Sequence, residues 1–136
     1  MMHPQKTSQP RWIDFDGEKG QAGELYYWEK QDLFPNGIQR CFWVHAVPNG
    51  VSRGNHAHRE ETQVLVALAG EVKAKITDTL GFTQLFKLNH PSRGLLIPPL
   101  HWVETDFSSD AVLLALSDRE FSEADYIRDL KEFAKL

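Results

Sequence analysis

GVSRGNHAHREETQVLVALAG, residues 50–70, carries two histidines two residues apart, His56 and His58, followed by an apolar run that ends at Gly70. Residues two apart in a β-strand point to the same face. Both imidazoles therefore leave one face of a strand, and that face is the interior of a barrel if Ala57 faces out. The sequence predicts two histidines that converge on one cavity.

Outward from this stretch, short apolar or alternating runs recur, and each is stopped by turn residues. The runs cover residues 38–47, 63–68, 72–77, 83–88, 95–97 and 111–116. Stops such as Pro48-Asn49-Gly50 and Gly81 supply the backbone angles of tight turns. Since no long helical pattern interrupts the runs, we predict an all-β sandwich or barrel.

The two ends of the chain differ from the middle. Residues 1–11 are polar and contain prolines, which predicts a flexible leader before a single domain over residues 12–136. Ser122, with Asp125 three residues later, resembles the start of a capped helix. Apolar residues then recur at helical spacing as far as Ala134, so we expect a C-terminal helix that packs on the barrel or on a partner subunit.

Composition argues against several classes of function. The 136 residues carry a formal net charge of −4 without a stripe of Lys and Arg, which is unfavourable for binding nucleic acid. No apolar run reaches the roughly 18 residues of a membrane span, and the N-terminal residues lack the apolar core of a secretory signal. The single cysteine, Cys41, lies in an apolar run and is interpreted as core packing. We expect a soluble, cytoplasmic protein.

The spacing of Gly50, His56, His58, Gln63 and Gly70 is similar to the first conserved motif of cupins. In metal-binding cupins the two histidines of this motif bind the metal together with a Glu of the same motif and a His of a second motif. The resemblance implies the same four positions here. Gln63 stands where the Glu would be, and Val103 stands where the second motif would place its His. Because first-row metals normally need three or more good ligands, we predict no metal and no cofactor.

A narrower resemblance covers nearly the whole chain after residue 11. The matching segments, in chain order, are residues 53–59, 63–66, 94–99, Trp102, residues 107–108, 111–114 and 125–129. They resemble the WxcM-like nucleotide-sugar 3,4-ketoisomerases. The resemblance implies an all-β cupin (RmlC-like jelly-roll) antiparallel barrel with a short C-terminal helix, assembled as a homodimer.

The same resemblance implies an isomerase of deoxysugar biosynthesis, on the route to cell-surface polysaccharide. Such enzymes move a keto group between neighbouring carbons of a dTDP-linked 4-keto-6-deoxyhexose without a metal. The reaction needs groups that exchange protons near neutrality, as histidine does. By this analogy His58 is the proton-shuttling base, and His56 is its partner on the sugar oxygens. The substrate-binding candidates are Arg53, Gln63, Arg40, Phe42, Trp43, His101 and Trp102.

Departures from the family pattern leave two alternatives open. The strand that is rich in tyrosine in the family reads QRCFWV at residues 39–44, so its phenol hydroxyls are absent, and Lys19 replaces an arginine. This loss favours a cupin that binds a nucleotide sugar without turnover. The other alternative is a metal-dependent small cupin enzyme that recruits His101 or Glu104 as a further ligand. Glu60 and Glu61 are interpreted as a solvated edge, and residues 125–129 as a packing or dimerisation segment.

Overall fold

The computed structural model describes residues 8–29 and 32–136, and β-strands account for most of them. The strands are β1 (Arg11–Asp14), β2 (Asp16–Gly20), β3 (Gly23–Tyr27), β4 (Arg40–His45), β5 (Ser52–His58), β6 (Gln63–Ala69), β7 (Val72–Thr77), β8 (Thr83–Leu88), β9 (Arg93–Ile97), β10 (Trp102–Phe107), β11 (Val112–Ser117) and β12 (Tyr126–Ile127). One helix, α1, covers Leu130–Ala134. Residues 1–7 of the predicted leader lie outside the described residues. Among the described residues, no helix has the length and apolar character needed to cross a bilayer.

Ten of these strands form two five-stranded sheets, and every pairing is antiparallel. The first sheet has the order β1-β9-β6-β11-β4, and the second has the order β12-β5-β10-β7-β8. Strands β2 and β3 form a separate hairpin. The prediction of an all-β antiparallel fold with a short C-terminal helix is confirmed.

The main core lies between the two sheets, and alternation of side chains places it there. In β7, Val72, Ala74 and Ile76 are buried while the intervening lysines are exposed. Strand β6 is buried on both faces over most of its length, because Phe34 and neighbouring apolar side chains cover Val64 and Val66 from outside. This second cluster explains why residues 63–68 read as a continuous apolar run.

The C-terminal segment differs from its prediction. Ser122 makes no side-chain cap hydrogen bond, and only one turn of 3-10 helix follows, at Glu123–Asp125. The chain then forms β12, which pairs with β5, and α1 begins only at Leu130, where Asp129 caps the helix by accepting from Lys131 N. The prediction of a helix from the spacing of apolar residues was wrong at Tyr126 and Ile127. These two residues pair with β5 as a strand, so they do not form helical hydrogen bonds.

The interpretation of Cys41 as a core residue was wrong. Cys41 is exposed, because in β4 the alternation directs Arg40, Phe42 and Val44 inward and the residues between them outward. The apolar run that contains Cys41 reflects a half-covered strand, not a buried one.

A bulge in β5 aligns the side chains of the histidine motif. The pairing of β5 with β10 shifts register so that Val103 faces His56 while Glu104 faces Gly54, which leaves Asn55 as the extra residue. Gly54 and Asn55 have φ values of 91° and 54°. Because the bulge changes the alternation, Arg53 opposite Thr105 shares a face with His56 opposite Val103.

Gly54 is required at this bulge for two reasons that can be separated by mutation. Its φ is positive, and a Cβ atom there would lie 2.8 Å from the carbonyl oxygen of Val103. Gly50 has a similar φ of 79°, but a Cβ there meets nothing within 4 Å. We expect Gly50→Ala to cost about 1–2 kcal/mol of unfolding free energy through backbone strain alone. We expect Gly54→Ala to cost roughly 2 kcal/mol more, because β10 must move.

Chemical denaturation of both variants, followed by circular dichroism, measures this difference. Equal losses for the two glycines would contradict the argument from the Val103 contact.

Candidate active site

The histidine pair lies on the inner face of β5, between the two sheets. Ala57, the residue between them, is fully buried on the opposite face with Trp102, Ile127 and Phe133. The His56 and His58 rings lie 4.9 Å apart between centroids and are nearly perpendicular. His56 is half-buried, whereas His58 is only 6% exposed. The pair therefore forms one site, with His56 on its open side.

The backbone holds the His56 ring in one orientation. Its Nδ1 lies 2.9 Å from the carbonyl oxygen of Gly54, within the bulge. A carbonyl oxygen only accepts, so Nδ1 carries the hydrogen and the Nε2 of neutral His56 keeps its lone pair. Burial lowers the pKa of His56, although the hydrogen bond to Gly54 acts in the opposite direction. His56 thus offers Nε2 as an acceptor at neutral pH.

Polar groups lie at both nitrogens of His58. Its Nδ1 is 3.3 Å from Asp125 Oδ2, and its Nε2 is 3.6 Å from Glu61 Oε2. The amide nitrogen of Gln63 lies 3.4 Å from the same Nε2. Burial lowers the pKa of His58 to about 3, and the charge of His56 when it is protonated and the positive charge of Arg40 add to the effect. His58 is therefore neutral at physiological pH, as a general base must be.

Glu61 is not on a solvated edge, as the sequence led us to expect, since only 1% of it is exposed. Its Oε2 accepts from Arg40 Nη2 at 3.3 Å and from the Gln63 amide. Its Oε1 is buried and makes no hydrogen bond to any described residue. Burial raises the pKa of Glu61, and this effect is partly offset by the hydrogen bond from Gln63 and by the positive charge of Arg40. Glu60 does extend into solvent.

Two residues from the C-terminal segment complete the site, although the sequence analysis had assigned them to packing or dimerisation. The Tyr126 ring lies 4.3 Å from the His58 ring and 5.0 Å from the His56 ring, measured between centroids. The Tyr126 hydroxyl accepts from Arg40 Nη2 at 3.4 Å. Asp125 contacts His58 as described above. The sequence does show an acid and a phenol side by side at Asp125 and Tyr126, which is a possible sign of a functional site. No rule of sequence spacing, however, connects these two residues to residues 56–58.

The structure brings some of the predicted substrate-binding residues to the histidines. Arg40 reaches Glu61 and Tyr126, and its guanidinium lies 4.9 Å from the centre of the Phe42 ring. Gln63 is buried beside His58. Arg53 is exposed on the histidine face of β5 because of the bulge.

Other predicted residues lie elsewhere. Trp43 is 65% exposed on the outer face of β4, and Trp102 packs with Ala57 behind the histidines. His101 is buried, with Nδ1 2.9 Å from the carbonyl oxygen of Pro99, and it lines a separate cavity of about 280 Å³ beside Asp78. The alternation of β4 and β10 accounts for both tryptophans, since each directs its side chain away from the sheet interior.

A larger cavity of about 520 Å³ does not include the histidine pair. It lies between the β2–β3 hairpin and the outer face of the first sheet, and its lining includes Phe15, Tyr26, Trp28, Val66, Leu68 and Leu114. Its walls carry none of the site residues described above. The volume of a cavity therefore does not identify the site of the ionisable residues in this fold.

Among the described residues, His58, Glu61 and Asp125 place ligand-type atoms within 4.8 Å of one another. The two carboxylates, however, approach opposite nitrogens of one imidazole, so an ion bound to either nitrogen would meet only one of them closely. Arg40 places a further positive charge 3.3 Å from Glu61. Glu104 alternates with Val103 and Thr105 and faces away from the site. This geometry suits proton transfer better than metal binding.

The chain is similar to several known proteins over most of its length. The curated TDP-4-oxo-6-deoxy-alpha-D-glucose-3,4-oxoisomerase of Aneurinibacillus thermoaerophilus is 36% identical over 124 residues, which are 90% of this chain and 88% of that protein. The 3,4-ketoisomerase QdtA of Thermoanaerobacterium thermosaccharolyticum, solved with TDP, superposes with a TM-score of 0.87 at 33% identity, covering 93% and 92% of the two chains. A 3,4-ketoisomerase from Helicobacter canadensis has a TM-score of 0.86 at 31% identity, covering 93% and 95%.

The family described as FdtA: WxcM-like, C-terminal matches residues 8–136, which include both sheets, the histidine pair and the C-terminal segment that closes the site. Because the match spans the whole described fold and a relative above 30% identity covers most of the chain, the protein belongs to the WxcM-like family.

Proposed function

We propose that this protein is a nucleotide-sugar 3,4-ketoisomerase that acts on a dTDP-linked 4-keto-6-deoxyhexose by histidine acid-base transfer. The observation that carries the proposal is the neutral, buried His58, packed against His56 and held between Asp125 and Glu61. The relatives support the substrate class, since they are 3,4-ketoisomerases, and a histidine-to-asparagine mutant of QdtA was solved with TDP-4-keto-6-deoxyglucose.

The proposed chemistry moves two protons. His58 Nε2 removes the proton from C3, and the electron pair of that bond forms the C3–C4 double bond while the C4 carbonyl oxygen becomes an enolate oxygen. His56 Nε2 then takes the hydroxyl proton from O3 and returns it to O4 as the C3 carbonyl forms. The proton held by His58 goes back to carbon at C4. The atoms balance without an oxidant, since only protons and the double bond change place.

Positive charge around the histidines suits an anionic nucleotide substrate. Arg40, Arg128 and Arg119 all lie close enough to lower the pKa of His58. Arg53 is exposed on the same face, and its planar guanidinium can bind a diphosphate through paired donors. The aromatic rings of Phe42 and Phe121 flank Arg40 and offer apolar surface near the pair.

Binding without turnover was favoured by the loss of the phenols from β4. Tyr126, from the C-terminal segment that matches the family pattern, nevertheless packs its ring against both imidazoles. A phenol hydroxyl is therefore present at the site although Phe42 and Trp43 occupy the β4 positions. Turnover is the better-supported function of the two.

We also propose that the protein is a homodimer in which a second copy covers β4. This strand is an edge of the first sheet, since it pairs only with β11 among the described strands. Its outer face exposes Trp43, and exposed edges of this kind are normally covered or charged. Tryptophan is enriched at the centre of protein interfaces, so an exposed Trp43 on this edge strand is consistent with an interface there.

His58→Asn should abolish isomerisation, lowering kcat by roughly 10²-fold or more, because asparagine has a similar polarity but cannot take the proton. NMR of purified protein with dTDP-4-keto-6-deoxyglucose in heavy water would follow formation of the 3-keto product and incorporation of deuterium at its C4. His90→Asn, an exposed histidine away from the site, is the matched control and should leave turnover unchanged. Saturable nucleotide-sugar binding by a wild-type protein without turnover would support the binding function instead.

In the pH profile of kcat/KM, the fall in activity on the acid side should lie well below pH 6.5. His58 must be neutral to act, and burial lowers its pKa to about 3, while the pKa of His56 is lowered as well. At pH 5.5 an ordinary histidine would be protonated enough to lower activity about tenfold. Here we expect less than about a twofold loss from pH 7 to 5.5.

The unfolded chain binds more protons at His58 than the native chain between pH 6.5 and about 3, so stability falls as the pH is lowered through this window. Circular dichroism at each pH must therefore accompany the rates. A tenfold loss at pH 5.5 in a folded protein would rule out a depressed pKa at the base.

Trp43→Glu should convert the dimer to a monomer, because a carboxylate would be buried without a partner at the proposed interface. Light scattering during size-exclusion chromatography should give twice 15.6 kDa for the wild type and 15.6 kDa for the variant. Phe82→Glu, which alters a similarly exposed aromatic on the β7–β8 turn, should remain dimeric. A monomeric wild type, or a dimer that tolerates Trp43→Glu, would contradict the proposed interface.

A further inference from the structure

The C-terminal segment ties itself to the connection between β5 and β6 through Asp125. Its Oδ1 accepts from Glu60 N at 2.7 Å, and its Oδ2 accepts from Glu61 N at 3.2 Å. Its own carbonyl oxygen accepts from Arg59 N at 2.8 Å. Three successive amides directly after His58 are thus held by one residue, which is only 7% exposed.

The same carboxylate faces His58. Asp125 Oδ2 lies 3.3 Å from Nδ1, within contact distance but not aligned for a hydrogen bond, and this buried nitrogen has no hydrogen-bond partner among the described residues. Both Asp125 oxygens accept from backbone amides, so a hydrogen bond between Asp125 and the ring would use a hydrogen carried by the imidazole. Catalytic hydrogen bonds are often long or poorly aligned before substrate binds, and this contact of 3.3 Å is of that kind.

Strand pairing sets this approach. Tyr126, the next residue, pairs with His58 between β12 and β5, and its ring packs on the imidazole. Asp125 is therefore placed beside Nδ1 by the backbone of two strands, and the opposite nitrogen is left to face Gln63 and Glu61.

We propose that Asp125 is a positioning residue that keeps neutral His58 in the Nδ1–H tautomer and leaves the lone pair on Nε2. Its negative charge then stabilises the imidazolium formed when Nε2 takes a proton. The catalytic part of this inference rests on the proposed ketoisomerase function, whereas the tautomer does not. Asp125 need not touch the substrate, and it acts only through the His58 ring.

Asp118 provides a matched control within the same connection. Its Oδ1 accepts from Thr62 N at 3.0 Å, but it contacts neither histidine. Asp118→Asn and Asp125→Asn therefore alter similar bonds to neighbouring amides, and only the second alters the group that faces His58. Melting temperatures of both variants show how much each loosens the connection.

The test is long-range proton–nitrogen NMR on protein labelled with ¹⁵N-histidine, with His58 assigned by the loss of its signals in His58→Asn. We expect the Nδ1–H tautomer in the wild type and in Asp118→Asn, and a shift towards Nε2–H in Asp125→Asn. We expect kcat of Asp125→Asn to fall on the order of 10²-fold or more with little change in KM, because the wrong tautomer presents a hydrogen where the base is needed. Asp118→Asn should keep wild-type kcat.

An Nε2–H tautomer in the wild type would overturn the proposal even if Asp125→Asn failed to fold. An unchanged tautomer in a folded Asp125→Asn would do the same. A wild-type protein without turnover would instead overturn the proposed function, and the NMR measurement would still decide what Asp125 does to His58.

Discussion

Strand β5 is hydrogen-bonded on both sides, and the rest of the site depends on that constraint. Its pairing with β10 runs through a bulge, and its pairing with β12 fixes the end that carries His58. A strand held on both edges cannot rotate, so Ala57 packs outward and both imidazoles point between the sheets. The histidine spacing has chemical meaning only because these two neighbours determine which face is inside.

Burying this many ionisable groups together is energetically unfavourable unless each finds a partner. Arg40 and Gln63 satisfy one oxygen of Glu61, and backbone amides satisfy Asp125. A network of this kind contributes little net stability compared with an apolar core of equal volume. Its concentration at one end of the sandwich, beside a purely apolar cluster, is the pattern expected where perturbed protonation serves chemistry.

The sequence predicted the parts of this arrangement that depend on local alternation. The bounds of β7 and β8 and the shared face of His56 and His58 follow from a two-residue period. The prediction for Glu61 was wrong because a Glu-Glu pair after a strand is usually solvated. The buried Glu61 is instead paired with Arg40, which lies some twenty residues earlier in the chain. The bulge could not be read from Gly54 alone, since its need for glycine arises from the carbonyl of Val103 on another strand.

The role of the C-terminal segment likewise could not be predicted from the sequence, because it depends on which strand β12 pairs with. A phenol missing from β4 argues against proton transfer only if no other strand can supply one, and pairing of β12 with β5 brings Tyr126 to both imidazoles. Sequence distance hides this contact, because β12 is two residues long and its partner lies about seventy residues away. What matters for the reaction is where the hydroxyl lies relative to the rings. The last strand of the sheet therefore belongs to the site as much as the histidine motif does.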